Sequence, residues 1–174
     1  RLTPVDVSGL STGVVAIAAG QEHTCALTSA GSVKCWGYNG SGQLGDGTQE
    51  DRLTPVDVGG LGGTATTVAA GAGFTCALTT GGDAMCWGTN NSGALGNRTL
   101  ISNSLIPVDV SGLTSNVAAI SAGWLYACAV TTAGEAKCWG YNDDGQLGNG
   151  NFSSRNTPGT VNGLTSGIVA IVAS

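Results

Sequence analysis

The sequence predicts an all-β fold assembled from repeated four-stranded units. Three observations carry that prediction. Glycine fills 30 of 174 positions while charged residues make up only 10%, a balance suited to short strands and tight turns rather than to helices. Gly20, Gly71 and Gly123 close three similar apolar runs at intervals of 51 and 52 residues, and Pro4, Pro55, Pro107 and Pro158 keep the same period. Within each period the apolar residues fall into four short extended segments.

Taken in order, the first segment of a unit is small and apolar, as in Val14 to Ala19. The second, Thr24 to Thr28, and the third, Val33 to Gly37, flank a Ser-Ala-Gly turn. The fourth runs through Thr54-Pro55-Val56-Asp57-Val58 and its equivalents. Tandem four-strand units of about 50 residues read as propeller blades. The expected organisation is one segment over 1–174, with units at 1–51, 52–103 and 104–154 and a partial fourth at 155–174. A solenoid is the alternative, weakened because no unit contains a convincing helix.

The motifs are similar to a known family. GQEHTCALTSAGSVKCWGYNGSGQLGDGT, GAGFTCALTTGGDAMCWGTNNSGALGN and GWLYACAVTTAGEAKCWGYNDDGQLGNGN resemble the repeat of the regulator of chromosome condensation family. The resemblance covers essentially the whole chain and implies a seven-bladed ring of four-stranded blades. About three blades plus a partial fourth are too few to close such a ring. Arg1 opens in mid-unit, so the sequence is expected to be a piece of a longer protein, or a subunit that closes with others.

The cysteines recur as pairs ten positions apart: Cys25 and Cys35, Cys76 and Cys86, Cys128 and Cys138. A three-residue loop centred on Ala30 sets Leu27 opposite Val33 and therefore Cys25 opposite Cys35. Opposed residues lie within disulfide reach, and each closed loop should contribute about 3 kcal/mol by chain entropy. Buried free thiols are a second reading. Zinc is a third, with no CxxC spacing and a single histidine, His23, against it. Disulfides imply an oxidising compartment and an extracellular or cell-surface protein. Asn39, Asn90, Asn97 and Asn151 each begin a glycosylation sequon.

Composition excludes further roles. A formal charge of −5 and a pI near 4.4 disfavour a nucleic-acid partner. No apolar run reaches the length of a membrane span. The Gly-Gln-Leu-Gly runs at 42–45 and 145–148 lack the Lys-Ser/Thr of a phosphate loop and read as turns. His23 is replaced by Phe74 and Tyr126 in the other units, so no proton-transfer group is kept there. No catalytic constellation emerges, and no cofactor or metal is expected.

Trp36, Trp87 and Trp139 are expected to fill space between blades. Asp6, Asp57 and Asp109 recur at one position and are expected to cap or bridge strands. The units differ most at Trp124, Leu125 and Tyr126, read either as a partner-binding anchor or as residues packed against a neighbouring blade. They differ also in the loop from Asn97 to Ile106, where Arg98, Leu100 and Ile101 are the second candidate binding set. The leading functional reading is a non-catalytic protein-binding or display scaffold. The alternative is a subunit of an extracellular fibre or surface assembly, self-associating through open blade edges. A nucleotide-exchange regulator, known among relatives, ranks third, because the cysteine pairs and the lack of a basic tail count against it.

Overall fold

The computed structural model describes residues 3–100 and 102–174, and its twelve strands form three four-stranded antiparallel sheets. The first blade holds β1 (Val14–Ala19), β2 (His23–Thr28), β3 (Val33–Gly37) and β4 (Arg52–Asp57), paired in chain order. The second holds β5 (Ala65–Ala70), β6 (Phe74–Thr79), β7 (Ala84–Gly88) and β8 (Ser104–Asp109). The third holds β9 (Val117–Ala122), β10 (Tyr126–Thr131), β11 (Ala136–Gly140) and β12 (Arg155–Thr160). One short 3-10 turn, Asn91–Gly93, interrupts the loop of the second blade.

Each blade takes its first three strands from one sequence unit and its fourth from the next. The fourth strand begins at Arg52 rather than at Thr54, because Gly37 already pairs with Arg52. The expected partial fourth unit supplies β12 to the third sheet, while residues 161–174 form no strand. That segment nevertheless docks: Ile171 packs against the cluster of Cys128, Cys138 and Leu147, and Ser121 Oγ accepts from the Ala173 N–H at 3.0 Å.

The central hairpin follows the expected register, with Leu27 opposite Val33 and Cys25 opposite Cys35. Thr28 N–H donates to the Ser32 carbonyl and Gly31 N–H to the Thr28 carbonyl, a three-residue turn that needs a left-handed third residue. Gly31, Gly82 and Gly134 supply it with φ of 78°, 79° and 78°.

Strand alternation decides where the core sits. Along β6, Phe74, Cys76 and Leu78 face the third blade, while Ala77 faces the first. The apolar core therefore lies between blades rather than within one. Cys25, Leu27, Val33, Cys35 and Leu44 meet Ala65, Val68, Ala77 and Trp87 at the first boundary. Phe74, Cys76, Leu95 and Val110 meet Val117, Ile120, Ala129 and Trp139 at the second. Burying one such leucine or valine contributes roughly 1.5–3 kcal/mol.

Two of the three repeated tryptophans fill space between blades as the sequence predicts. Trp87 and Trp139 are wholly buried at the two boundaries. Trp36 occupies the same register on the first blade but is half-buried, lining an open depression with Val5, Val7 and Leu10. Asp57 bridges strands, its carboxylate 2.7 Å from Lys34 Nζ on β3.

Candidate protein-interaction face

Antiparallel order places the β1–β2 turn and the start of the β3–β4 loop at the same end of every blade. Backbone hydrogen bonds tie them together there: Tyr38 to Glu22, Thr89 to Gly73 and Tyr141 to Leu125, at 2.9, 2.8 and 2.9 Å. This end forms one face, and on it the three blades diverge most in sequence. The first blade presents Gln21, Glu22 and Tyr38, the second Ala72, Gly73 and Thr89, and the third Trp124, Leu125 and Tyr141.

Trp124 is the dominant feature. Its carbonyl accepts from the Ala72 N–H at 3.0 Å, which fixes its backbone over the second blade, yet the residue remains 59% exposed. It walls two open depressions. One of about 360 Å3 is floored by Ala19, Gly20, Ala70, Gly71, Ala122 and Gly123, at the inner ends of the first strands. The other, of about 370 Å3, runs outward past Glu22, Tyr38, Gln43, Gly73, Thr89 and Leu125. The floor is made of small residues because rings lie on it from beneath. A Cβ on Gly20, Gly71 or Gly123 would strike His23, Phe74 or Tyr126 respectively. A flat ring is what that position requires, which explains how imidazole, phenyl and phenol interchange there.

The structure divides the expected Trp124-Leu125-Tyr126 triplet. Trp124 and Leu125 line the face, whereas Tyr126 is half-buried over Gly123 and its hydroxyl reaches the Ser174 backbone. The triplet is thus split between an exposed pair, Trp124 and Leu125, and a half-buried ring, Tyr126. Arg98 and Leu100 lie elsewhere, on the loop between the outer edges of the second and third blades. There the Arg98 Nε–H donates to Ser111 Oγ at 2.7 Å and its backbone N–H to Asn156 O at 2.9 Å. Ile101 lies outside the described residues. Tyr38 and Glu22, which complete the face, did not stand out in the sequence: Tyr38 recurs as Tyr141, and Glu22 is one acidic residue at a position that is Gly73 and Leu125 in the other units.

Two of the four sequons are corrected. Asn39 and Asn90 are 0% exposed, so neither amide is open to a glycan. Asn39 Oδ1 accepts from Leu44 N–H at 3.0 Å, and its Nδ2 donates to Asp46 Oδ1 and to the Thr48 and Glu50 carbonyls, each at 3.1 Å. Asn90 and Asn142 hold their loops the same way, bonding to the Leu95 and Leu147 N–H groups at 2.9 Å. The signal was the Asn that follows Cys-Trp-Gly-x in all three units. Burial pushes the Asp46 carboxyl up, but hydrogen bonds from Thr48, Arg52 and Asn39 outweigh it and hold it below its ordinary value. Asn97 is half-buried, with Oδ1 accepting from Thr99, and Asn151 is exposed.

Each cysteine pair is joined as a disulfide, with Cα atoms 4.1 Å apart in every case. No cysteine among the described residues is free, and no cluster of His, Cys, Asp and Glu there could hold a metal ion. No helix among them is long and apolar enough to cross a membrane.

At the first blade boundary, Thr75 Oγ1 lies 2.8 Å from the Gln43 carbonyl and 2.8 Å from His23 Nε2. The Thr75 hydroxyl has one proton and gives it to the carbonyl, so His23 Nε2 carries its own proton and donates to Thr75. His23 Nδ1 is then a bare acceptor with no partner. Burial holds the imidazole neutral, its pKa lowered from 6.5 to about 4.

Comparison with known proteins agrees with this architecture. Residues 30–78, 82–130 and 134–174 match the regulator of chromosome condensation (RCC1) repeat, and residues 14–43, 65–94 and 117–146 match a second description of it. The chain is 32% identical to the ultraviolet-B receptor UVR8 of Arabidopsis thaliana over 98% of its own length and 39% of the receptor's. Human WBSCR16 superimposes with a TM-score of 0.77 at 27% identity, over 86% of this chain and 38% of that one. Prp20p of Saccharomyces cerevisiae, whose structure was described with its binding properties toward Gsp1p and histones, gives 0.77 at 22% over the same shares. The chain thus spans about two fifths of the length of each of these three proteins.

Proposed function

The chain belongs to the regulator of chromosome condensation repeat family, and on that premise we propose that it is a non-catalytic propeller segment that binds a protein partner through the face carrying Trp124. The supporting observation is a rigidly anchored, largely exposed tryptophan between two depressions, at the place where the blades cease to be copies of one another. Exposed aromatics of this kind anchor protein interfaces. The face offers a contact surface and no polar dyad aimed at a reacting atom, which is why the reading is binding rather than catalysis. A nucleic-acid partner is disfavoured by the acidic surface.

Three disulfides support an oxidising compartment, and with it an extracellular or cell-surface location. The alternative of a self-associating structural subunit is favoured by one observation. The first blade leaves Val15 and Ile17 exposed on β1 and Trp36 only half-buried.

Photo-crosslinking separates these readings. A photoreactive residue at position 124 should capture a protein from the surface fraction of the producing cells, and one at Ala133, on the opposite end of the third blade, should not. Equal labelling from both positions, or none from 124, defeats the binding-face reading. Size-exclusion chromatography with negative-stain microscopy addresses assembly: concentration-dependent filaments support the structural subunit, and a monomer removes it.

A further inference from the structure

We propose that the Trp124 face recognises an extended, basic peptide segment, seating an arginine or lysine side chain on the indole with Glu22 as its counter-charge. This deepens the reading above and rests on it.

The charges that line the face set the sign of the ligand it can take. The outer depression contains one ionisable carboxylate, Glu22, together with the rings of Tyr38 and Trp124, and no lysine or arginine. Tyr38 is 46% exposed, so two aromatic faces are open beside one exposed carboxylate. One blade further round, the loop that begins at Tyr141 adds the exposed pair Asp143 and Asp144 to the same end of the molecule. Exposed Glu50 and Asp51 follow on the first blade's loop.

The three described arginines share this end of the molecule but line neither depression: Arg52 stands beside Gly37, Arg155 beside Gly140, and Arg98 lies on the second blade's loop. Both lysines sit at the opposite end of their blades, each in an ion pair: Lys34 with Asp57 and Lys137 with Glu135. Arg52 is held by Asp46, and Arg98 donates to Ser111. Arg155 lies along β12, its guanidinium folded over Gly159. The outer depression is therefore one-signed, with Glu22 its only charged side chain. An acidic or phosphorylated ligand meets like charge here, and a basic one meets complementary charge.

Shape selects an extended chain. The floor between the two depressions is Ala and Gly at Ala70, Gly71, Ala72 and Gly73, so a peptide backbone can lie close to it. Trp124 stands as the wall shared by both depressions, and a guanidinium or ammonium laid on its ring is attracted by the ring's quadrupole. Tyr38 and Glu22, across the outer depression, supply a second ring and a carboxylate for the same cation.

The test uses the blocked heptapeptide Gly-Arg-Gly-Arg-Gly-Arg-Gly, with Gln-for-Arg and Glu-for-Arg peptides of equal length as controls. Binding is read by calorimetry and by quenching of the exposed indole. The arginine peptide should bind, the glutamine peptide at least about tenfold more weakly, and the glutamate peptide not at all. Trp124→Ala should weaken binding about tenfold, while Trp124→Phe retains most of it. Glu22→Gln should weaken it about threefold. Raising the salt concentration should weaken binding to the wild type more than to Glu22→Gln. Equal binding of all three peptides, or an arginine affinity indifferent to both Trp124→Ala and Glu22→Gln, overturns the inference. If no peptide binds while position 124 still crosslinks a partner, the basic-segment inference fails and the binding-face reading stands.

Discussion

Trp87 donates its indole N–H to the Gln43 carbonyl at 3.0 Å, across the boundary between the first and second blades. Trp139 repeats the contact one boundary on, donating to Ala94 O at 2.9 Å. A ring that fills the wedge between blades also donates to a buried loop carbonyl, which at the first boundary it shares with the Thr75 hydroxyl. Trp87→Phe should therefore destabilise the chain by about 1 kcal/mol, the net worth of one hydrogen bond, because Thr75 still donates to the same carbonyl. Trp87→Ala should cost about 3–5 kcal/mol through the cavity it opens. Trp36→Ala, at the half-buried equivalent, should cost less than half of that. Urea unfolding of the three variants tests the order.

The His23 imidazole makes the same boundary sensitive to acid. Its folded pKa, about 4, lies below the unfolded value of 6.5, so the neutral ring's contribution is fully present above pH 6.5 and is lost as pH falls toward 4. The full loss is about 3 kcal/mol. The second boundary pairs Phe74 with Ala127 where the first pairs His23 with Thr75, so His23→Phe with Thr75→Ala transplants a proven arrangement. The double variant should lose the pH 6.5-to-4 slope and remain folded at pH 7. Thr75→Ala alone should cost about 1–3 kcal/mol, because the His23 N–H then has no acceptor. Stability measured at pH 7 and pH 4.5 distinguishes the two.

Intact mass should rise by six hydrogens on reduction, two for each of three disulfides. Replacing Cys76 and Cys86 together by serine should cost about 2–4 kcal/mol, since the pair closes a hairpin and is wholly buried at the second boundary. An unchanged mass would remove the disulfides and the argument for an oxidising compartment with them.

Glycan mapping of the chain made in a glycosylating host should find Asn39 and Asn90 empty and Asn151 occupied. The buried amides are committed to their loops. Asn39→Asp should cost about 2–4 kcal/mol, because the new carboxylate oxygen faces the Thr48 and Glu50 carbonyls and the Asp46 carboxylate with no proton to give. Thermal unfolding reads the loss.

Periodicity made the fold legible. Fifty-odd residues, four extended runs and a three-residue turn with glycine third leave one hairpin register, and that register carries the cysteine pairing with it. The pairing is a local fact, settled within thirteen residues, and local facts survive translation from sequence. The exposed rings and carboxylates were harder to read. Glu22, Tyr38 and Trp124 are 102 residues apart at the extremes and occupy three different repeat positions, so no spacing links them. The buried Asn39 shows the converse difficulty, because a sequon looks alike whether its amide faces solvent or a ring of carbonyls.

Blade number, strand order and hairpin staples thus follow from the order of residues, because each depends on hydrogen bonds between near neighbours in the chain. The binding face and the His23–Thr75–Gln43–Trp87 knot exist only once blades stack. They are built from residues about 20 to 100 positions apart, brought together by apolar burial between sheets, a force that carries no direction and leaves no pattern of its own along the chain.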